Sequence, residues 1–246
     1  MTRSILLLLF LMPGIAVGEE ALIAVATNFT PVMQKLADDF QLSSPHRIRL
    51  ASGSTGVLFA QIKNGAPFDA FFAADQERPA VLESSGLSVA GSRFTYAEGR
   101  LAFWSNDPDL VRDDFEDSLR SERLRVLAIA NPDLAPYGRG ARSAIETALI
   151  SESLKAKLVF GENVGQAFSL VATGNADAGV IALSAVIQKP DWLQGAYLEV
   201  PANLHPPIRQ DALLLRRGKQ NEAAIQFLAF LQDEAVREII KTSGYR

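Results

Sequence analysis

The sequence predicts an α/β protein of two lobes, each a mixed, mostly parallel sheet flanked by helices. Three observations carry that prediction. Strand and helix signals alternate along most of the chain, the pattern of parallel strands covered by helices. Two long extended stretches, one crossing Gly99 and one carrying Pro201, Pro206 and Pro207, interrupt the alternation. After the second of them the chain ends on a helical pair, so its last segment can return to the first lobe.

Taken in order, "MTRSILLLLFLMPGIAVGEE" has a cation at Arg3, an apolar core from Ile5 to Met12, a Pro13-Gly14 break and small residues before Glu19. This is the grammar of a cleavable export signal over residues 1–18, and its apolar core is shorter than the roughly 20 residues that span a bilayer. "ALIAVAT" is an apolar strand and "TPVMQKLADDFQLS" a helix; "RIRLAS" is a strand and "STGVLFAQIKNG" a helix ending at Gly65. "FDAFFAAD" is a buried strand, followed by the helical "QERPAVLESSG". "GSRFTYAEGRLAFWSND" is the first extended crossing. The alternation then resumes with "RLRVLAIANP", "GARSAIETALI", "AKLVFGE", "NVGQAFSLVATG", "ADAGVIAL" and "SAVIQ". "LEVPANLHPPIRQDALLLRRG" is the second crossing, and "NEAAIQFLAFLQDEAVREIIKTSGY" the closing helical pair. The economical division places 19–98 with 204–246 in one discontinuous lobe and 99–203 in the other. One continuous doubly wound domain is the alternative.

Composition narrows the function. The 246 residues carry a net charge of −4 and no cysteine. That excludes disulfides, thiolate metal sites, cysteine nucleophiles and a cysteine-borne lipid, and it gives nucleic acid no basic surface to bind. The exported protein is expected in a periplasm, free of a lipid anchor, as a monomer. His46 and His205, each beside a proline, read as surface residues rather than metal ligands. Asp69 and Asp75, flanking a buried strand, read as structural. Tyr96, Trp104 and Tyr197 suit core or hinge packing, and Arg216-Arg217 a solvated turn. No G-x-S-x-G elbow is present for hydrolase chemistry.

The informative residues sit where strands run into helices. Four such junctions carry small neutral donors: Thr27-Asn28; Ser52 to Gly56 in "SGSTG"; Tyr137, Gly138 and Gly140 in "APYGRGARS"; and Asn163, Val164 and Gly165 in "GENVGQAF". Beyond the carboxyl ends of strands, helix N-termini present free N–H groups and positive dipole ends, which hold anions without a cation. Any single Ser, Thr or Asn there is an ordinary cap. Four together predict a small oxyanion held by neutral donors between lobes. Outside Arg139 and Arg142 these segments have no cation, and Glu162 is their one carboxylate. A donor-only site suits a fully ionised dianion of sulfate or molybdate type better than a protonated phosphate, whose own proton would be left unpaired.

The same residues carry a family resemblance. "VATNFTPVMQKLADDF", "ASGSTGVLFAQIKNGAPFDAFFAAD", "GSRFTYAEGRLAFWS", "NPDLAPYGRGA", "ENVGQAF" and the closing "IIKTSGY" resemble, in order, the periplasmic molybdate-binding proteins of ABC importers. The resemblance implies a type II periplasmic-binding-protein fold with molybdate, and tungstate alongside it, in the cleft. It implies no enzyme activity, no cofactor, and an inner-membrane ABC permease as partner. Carried over, the ligand contacts are Thr27, Asn28, Ser54 or Thr55, Tyr137 through its phenol or its N–H, and Val164 through its N–H. Molybdenum would be held only as the oxyanion, with no direct metal ligand. Where some members place a tyrosine after the strand written here "GVIAL", this chain has Ala182, which points to Tyr137 for the phenol role. The alternatives are a sulfate-type receptor, a ferric-iron receptor, a sensory binding protein, or an exported enzyme on an oxyanion-bearing substrate with Glu162 as base.

Overall fold

The computed structural model describes residues 18–149 and 154–246. The expected export signal, Gly18 apart, lies outside the described residues. The strands are β1 (Glu20–Ala26), β2 (Arg47–Gly53), β3 (Ala70–Phe72), β4 (Phe94–Gly99), β5 (Leu101–Ser105), β6 (Leu127–Ala130), β7 (Leu158–Gly161), β8 (Ala178–Ala182), β9 (Ala196–Glu199) and β10 (Ile208–Leu214). The α-helices are α1 (Thr30–Ser43), α2 (Thr55–Lys63), α3 (Glu77–Ser84), α4 (Phe115–Arg120), α5 (Pro136–Thr147), α6 (Val164–Ala172), α7 (Leu183–Ile187), α8 (Glu222–Phe230) and α9 (Glu234–Thr242).

Two five-stranded sheets form, ordered β2-β1-β3-β10-β4 and β7-β6-β8-β5-β9. In each, three parallel strands meet a fourth that runs antiparallel, β10 against β3 and β5 against β8. The antiparallel strand is in each case the one that has just crossed from the other lobe. The chain passes between sheets at Arg100, between β4 and β5, and again between β9 and β10. Parallel strands need helical crossovers on the sheet faces, and the helices supply the covering layers.

Local chemistry accounts for most elements. Helix α1 buries Val32, Met33, Leu36, Ala37 and Phe40 along one face, and Pro31 sits in its first turn, where its missing N–H costs no hydrogen bond. β1 is buried from Ile23 to Ala26 because it is covered on both faces, and it therefore reads as a continuous apolar run rather than an alternation. The second lobe packs around Trp104, Phe103 and Phe115, with Trp104 stacked on Phe168 at 4.9 Å between ring centroids. In the first lobe Phe29, Phe72 and Tyr96 meet at 4.7 and 5.2 Å.

Some expectations shift in detail. The strand expected over residues 68–75 is regular only over β3, although the Asp69 backbone still donates to the Leu22 carbonyl at 2.8 Å and accepts the Leu215 N–H at 2.9 Å, while its carboxylate takes the Leu22 N–H and Arg217. Helix α5 begins at Pro136, ahead of Gly140, since proline is accommodated at a helix's first position. His46 is buried rather than superficial, its Nδ1 accepting the Glu19 N–H at 3.1 Å. Tyr197 is half-exposed on the edge strand β9 and packs neither a core nor a hinge.

Candidate functional site

The four polar junctions come together. The turn Thr27–Phe29 and the start of α2 lie at the carboxyl ends of β1 and β2. The starts of α5 and α6 face them from the carboxyl ends of β6 and β7. They line one small cavity with Thr27, Asn28, Ser54, Thr55, Tyr137 and Val164 on its walls. Its volume is about 10 Å³, room for about one water, so this closed conformation has no space for a sugar or peptide. Among the described residues no charged side chain lines it.

Thr27 is the informative residue. Its Oγ1 is buried and has no hydrogen-bond partner among the described residues. A buried hydroxyl left unpaired costs about 1–3 kcal/mol, so such groups are rare unless something else is meant to pair with them. Its Cγ2 methyl touches the other lobe, where a side chain at Gly165 would overlap it. The glycine is therefore what lets α6 approach to this distance.

Ser54 and Thr55 are both buried, and each uses its oxygen as an acceptor. Ser54 Oγ caps α2 by accepting the Val57 N–H at 3.4 Å, and Thr55 Oγ1 accepts the Ala74 N–H at 3.0 Å. Neither hydroxyl donates to any described residue, so both protons remain available. Both residues stay as the carry-over left them.

Val164 occupies the first position of α6, behind the cap that Asn163 Oδ1 makes by accepting the Gln166 N–H at 3.0 Å. Its N–H is one of the orphan donors of a helix start. Helix α5 has no side-chain cap, which leaves its first-turn donors, Tyr137 N–H among them, without that partner.

Two of the expected contact residues have their side-chain polar groups engaged elsewhere. The Asn28 carboxamide turns away from the cavity, its Nδ2 donating to Gln210 Oε1 at 2.8 Å and to Tyr245 Oη at 3.3 Å. The Tyr137 phenol accepts the Gln210 Nε2–H at 3.1 Å. What these residues keep without a side-chain partner is the backbone N–H of a helix start at Tyr137 and of the turn at Asn28. Glu162 is exposed and does not line the cavity. Arg139 is committed to Asp75 at 3.0 Å, a bridge between the lobes. The Gly56 N–H makes another, donating to the Leu134 carbonyl at 2.9 Å. The lobes are closed on each other.

Behind the cavity lies a layer of which the sequence reading placed only Tyr96, as core or hinge packing, and missed Gln210, Ser184 and Tyr245. Tyr245 Oη donates to the Asn28 carbonyl at 2.7 Å, and Ser184 Oγ reaches the same oxygen at 3.4 Å. Burial raises the phenols of Tyr96, Tyr137 and Tyr245 well above the usual tyrosine range, so all three stay protonated. The sign follows from linkage. Above about pH 10 the unfolded chain loses these protons while the folded protein keeps them, so stability is full below that pH and falls as pH rises. Urea denaturation between pH 8 and pH 11 is expected to show that decline, and a shallower one in Tyr137→Phe.

Among the described residues no group of three or more His, Asp or Glu could hold a metal ion, and no helix is long and apolar enough to cross a membrane.

Comparison with known proteins accords with this geometry. A family model described as "Bacterial extracellular solute-binding protein" matches residues 21–246. The molybdate-binding protein ModA of Azotobacter vinelandii is 43% identical over 230 residues, 94% of this chain and 91% of that protein. ModA of Rhodobacter capsulatus is 40% identical over 230 residues, 94% and 89% of the two chains. The solved structure of the A. vinelandii periplasmic molybdate-binding protein superposes with a TM-score of 0.87 at 37% identity, covering 92% of this chain and 98% of that one.

Proposed function

The chain belongs to the bacterial extracellular solute-binding protein family, and from that premise we propose that it is a periplasmic receptor that captures molybdate and passes it to an ABC importer. It is a receptor and not an enzyme. Relatives at 43% and 40% identity are named for molybdate. The observation of this chain that carries the reading is the buried, unpartnered Thr27 hydroxyl on the wall of an uncharged interlobe cavity.

In this reading a tetrahedral dianion sits between the start of α1 and the starts of α2, α5 and α6. Thr27 Oγ1 and the N–H groups of Asn28, Tyr137 and Val164 donate to its oxygens, with Ser54 or Thr55 adding a hydroxyl. Helix dipoles and oriented N–H groups supply the positive potential that a lysine or arginine would otherwise give. The lobes, 19–98 with 204–246 and 99–203, would open and close about the two crossings, and the closed form would be what the inner-membrane permease recognises. Tungstate has the same charge and shape and is expected to bind alongside molybdate. The mature protein would act as a monomer after removal of residues 1–18.

Calorimetric titration of residues 19–246 with molybdate, tungstate, sulfate and phosphate tests this directly. Expected are one-to-one binding of molybdate and tungstate and weak binding of the other two. Sulfate bound as tightly as molybdate would keep the donor-only cleft and overturn the molybdate assignment; no heat with any of the four would overturn the receptor.

A further inference from the structure

Gln210 is fully buried on β10, the strand that returns to the first lobe after the second crossing. A buried carboxamide is costly unless its groups are paired, and here its partners come from three directions. Its Oε1 accepts from Asn28 Nδ2 at 2.8 Å and from Tyr96 Oη at 2.9 Å, both within its own lobe. Its Nε2 donates at 3.1 Å to the phenol of Tyr137, which belongs to the other lobe. The phenol seats over Gly99 at the first crossing, where any side chain would fall on the Tyr137 oxygen and, at 2.7 Å, on Gln210 Nε2.

Gln210 thus holds two residues of the cavity wall at once, Asn28 by its side chain and Tyr137 by its phenol. It does so from behind, at the crossings. Both held residues line the cavity. The bond to Tyr137 joins groups of different lobes, so separation of the lobes breaks it and closure remakes it.

We infer that Gln210 and Tyr137 are positioning residues that form a buried interlobe latch, which holds the closed cleft and aims the Asn28 and Tyr137 N–H donors without touching the ligand. The inference rests on the receptor reading above. Because the latch is made on closure and opening frees its groups to pair with water, its loss lowers affinity through a faster dissociation rate and shifts the ligand-free protein toward the open form, with little change in its melting temperature. It also lowers affinity for every bound oxyanion by one factor, since it contacts none of them.

The test is titration and stopped-flow dissociation of Tyr137→Phe, Gln210→Met and the double variant, with molybdate and with whichever other oxyanion the wild type binds. Tyr137→Phe is expected to lose roughly 10-fold in affinity, the scale of one hydrogen bond. The loss should appear in the dissociation rate, with an unchanged melting temperature of the free protein. The double variant should lose no more than the worse single one. Additive losses, a loss that differs between oxyanions, or wild-type binding by Tyr137→Phe would each overturn the latch. Should Gln210→Met fail to fold, because it also unpairs Asn28 and Tyr96, Tyr137→Phe decides alone by its rate and melting temperature. If the wild type binds no oxyanion, the receptor reading fails separately. The latch is then read by small-angle scattering of the ligand-free proteins: Tyr137→Phe should have the larger radius of gyration, and equal radii would overturn it.

Discussion

Thr27→Val is expected to lower molybdate affinity by roughly 10- to 100-fold while leaving the free protein as stable as before. The substitution nearly conserves volume and removes only the hydroxyl. That hydroxyl makes no hydrogen bond to any described residue, so no internal bond is lost with it. A hydrogen bond to a charged group contributes about 1.5–3 kcal/mol, which converts to that range of affinity. Replacing an unpaired buried hydroxyl with a methyl is neutral or mildly stabilising for the closed apo form, so melting temperature should hold or rise. Affinity and stability therefore part company, which a folding defect would not produce. Titration calorimetry and a thermal melt on the same sample check both halves; wild-type affinity in the variant would remove Thr27 from the site.

How much of this was legible in the sequence depends on how far apart the cooperating residues lie. Helix α1 was readable to the residue, since its apolar spacing, Pro31 and bounding strand are all local signals. The four junctions were readable as well, because each is a short run of hydroxyl, amide or glycine between a strand and a helix. That they share one cavity follows from the rule that strand ends in an α/β lobe face the same way. The orientation of the side chains was not readable. Asn28 and Tyr137 look like ligand donors in one dimension, and both are claimed by Gln210, which is 182 positions from Asn28. Tyr245 is 217 positions from Asn28, on the chain's penultimate residue. No spacing rule joins residues across such distances; only the return of β10 and α9 to the first lobe brings them together. Helix α4 escaped notice for a different reason. Its six residues are too few to show a period.

Gly165→Ala should weaken binding about as much as Thr27→Val, through closure and not through a lost donor. The added methyl would overlap Thr27 Cγ2 across the lobe interface. Thr27 has two heavy atoms on Cβ and few rotamers, so the side chain cannot simply swing aside. Moving Cγ2 clear rotates Oγ1 away from the cavity, and leaving it in place holds the lobes apart. Either way the Thr27 hydroxyl and the Val164 N–H no longer converge on one anion. Within the helix itself alanine is favoured over glycine by up to about 1 kcal/mol, so the ligand-free protein should melt no lower, and marginally higher. Thr27→Ser is the control that isolates the cause, because serine keeps the hydroxyl and lacks the methyl. Gly165→Ala in a Thr27→Ser background is expected to recover most of the affinity, whereas the two changes together would do worse than either alone if Gly165 were needed for the backbone conformation of α6. Titration of the single and double variants with molybdate decides between a steric fit across the cleft and a local requirement for glycine.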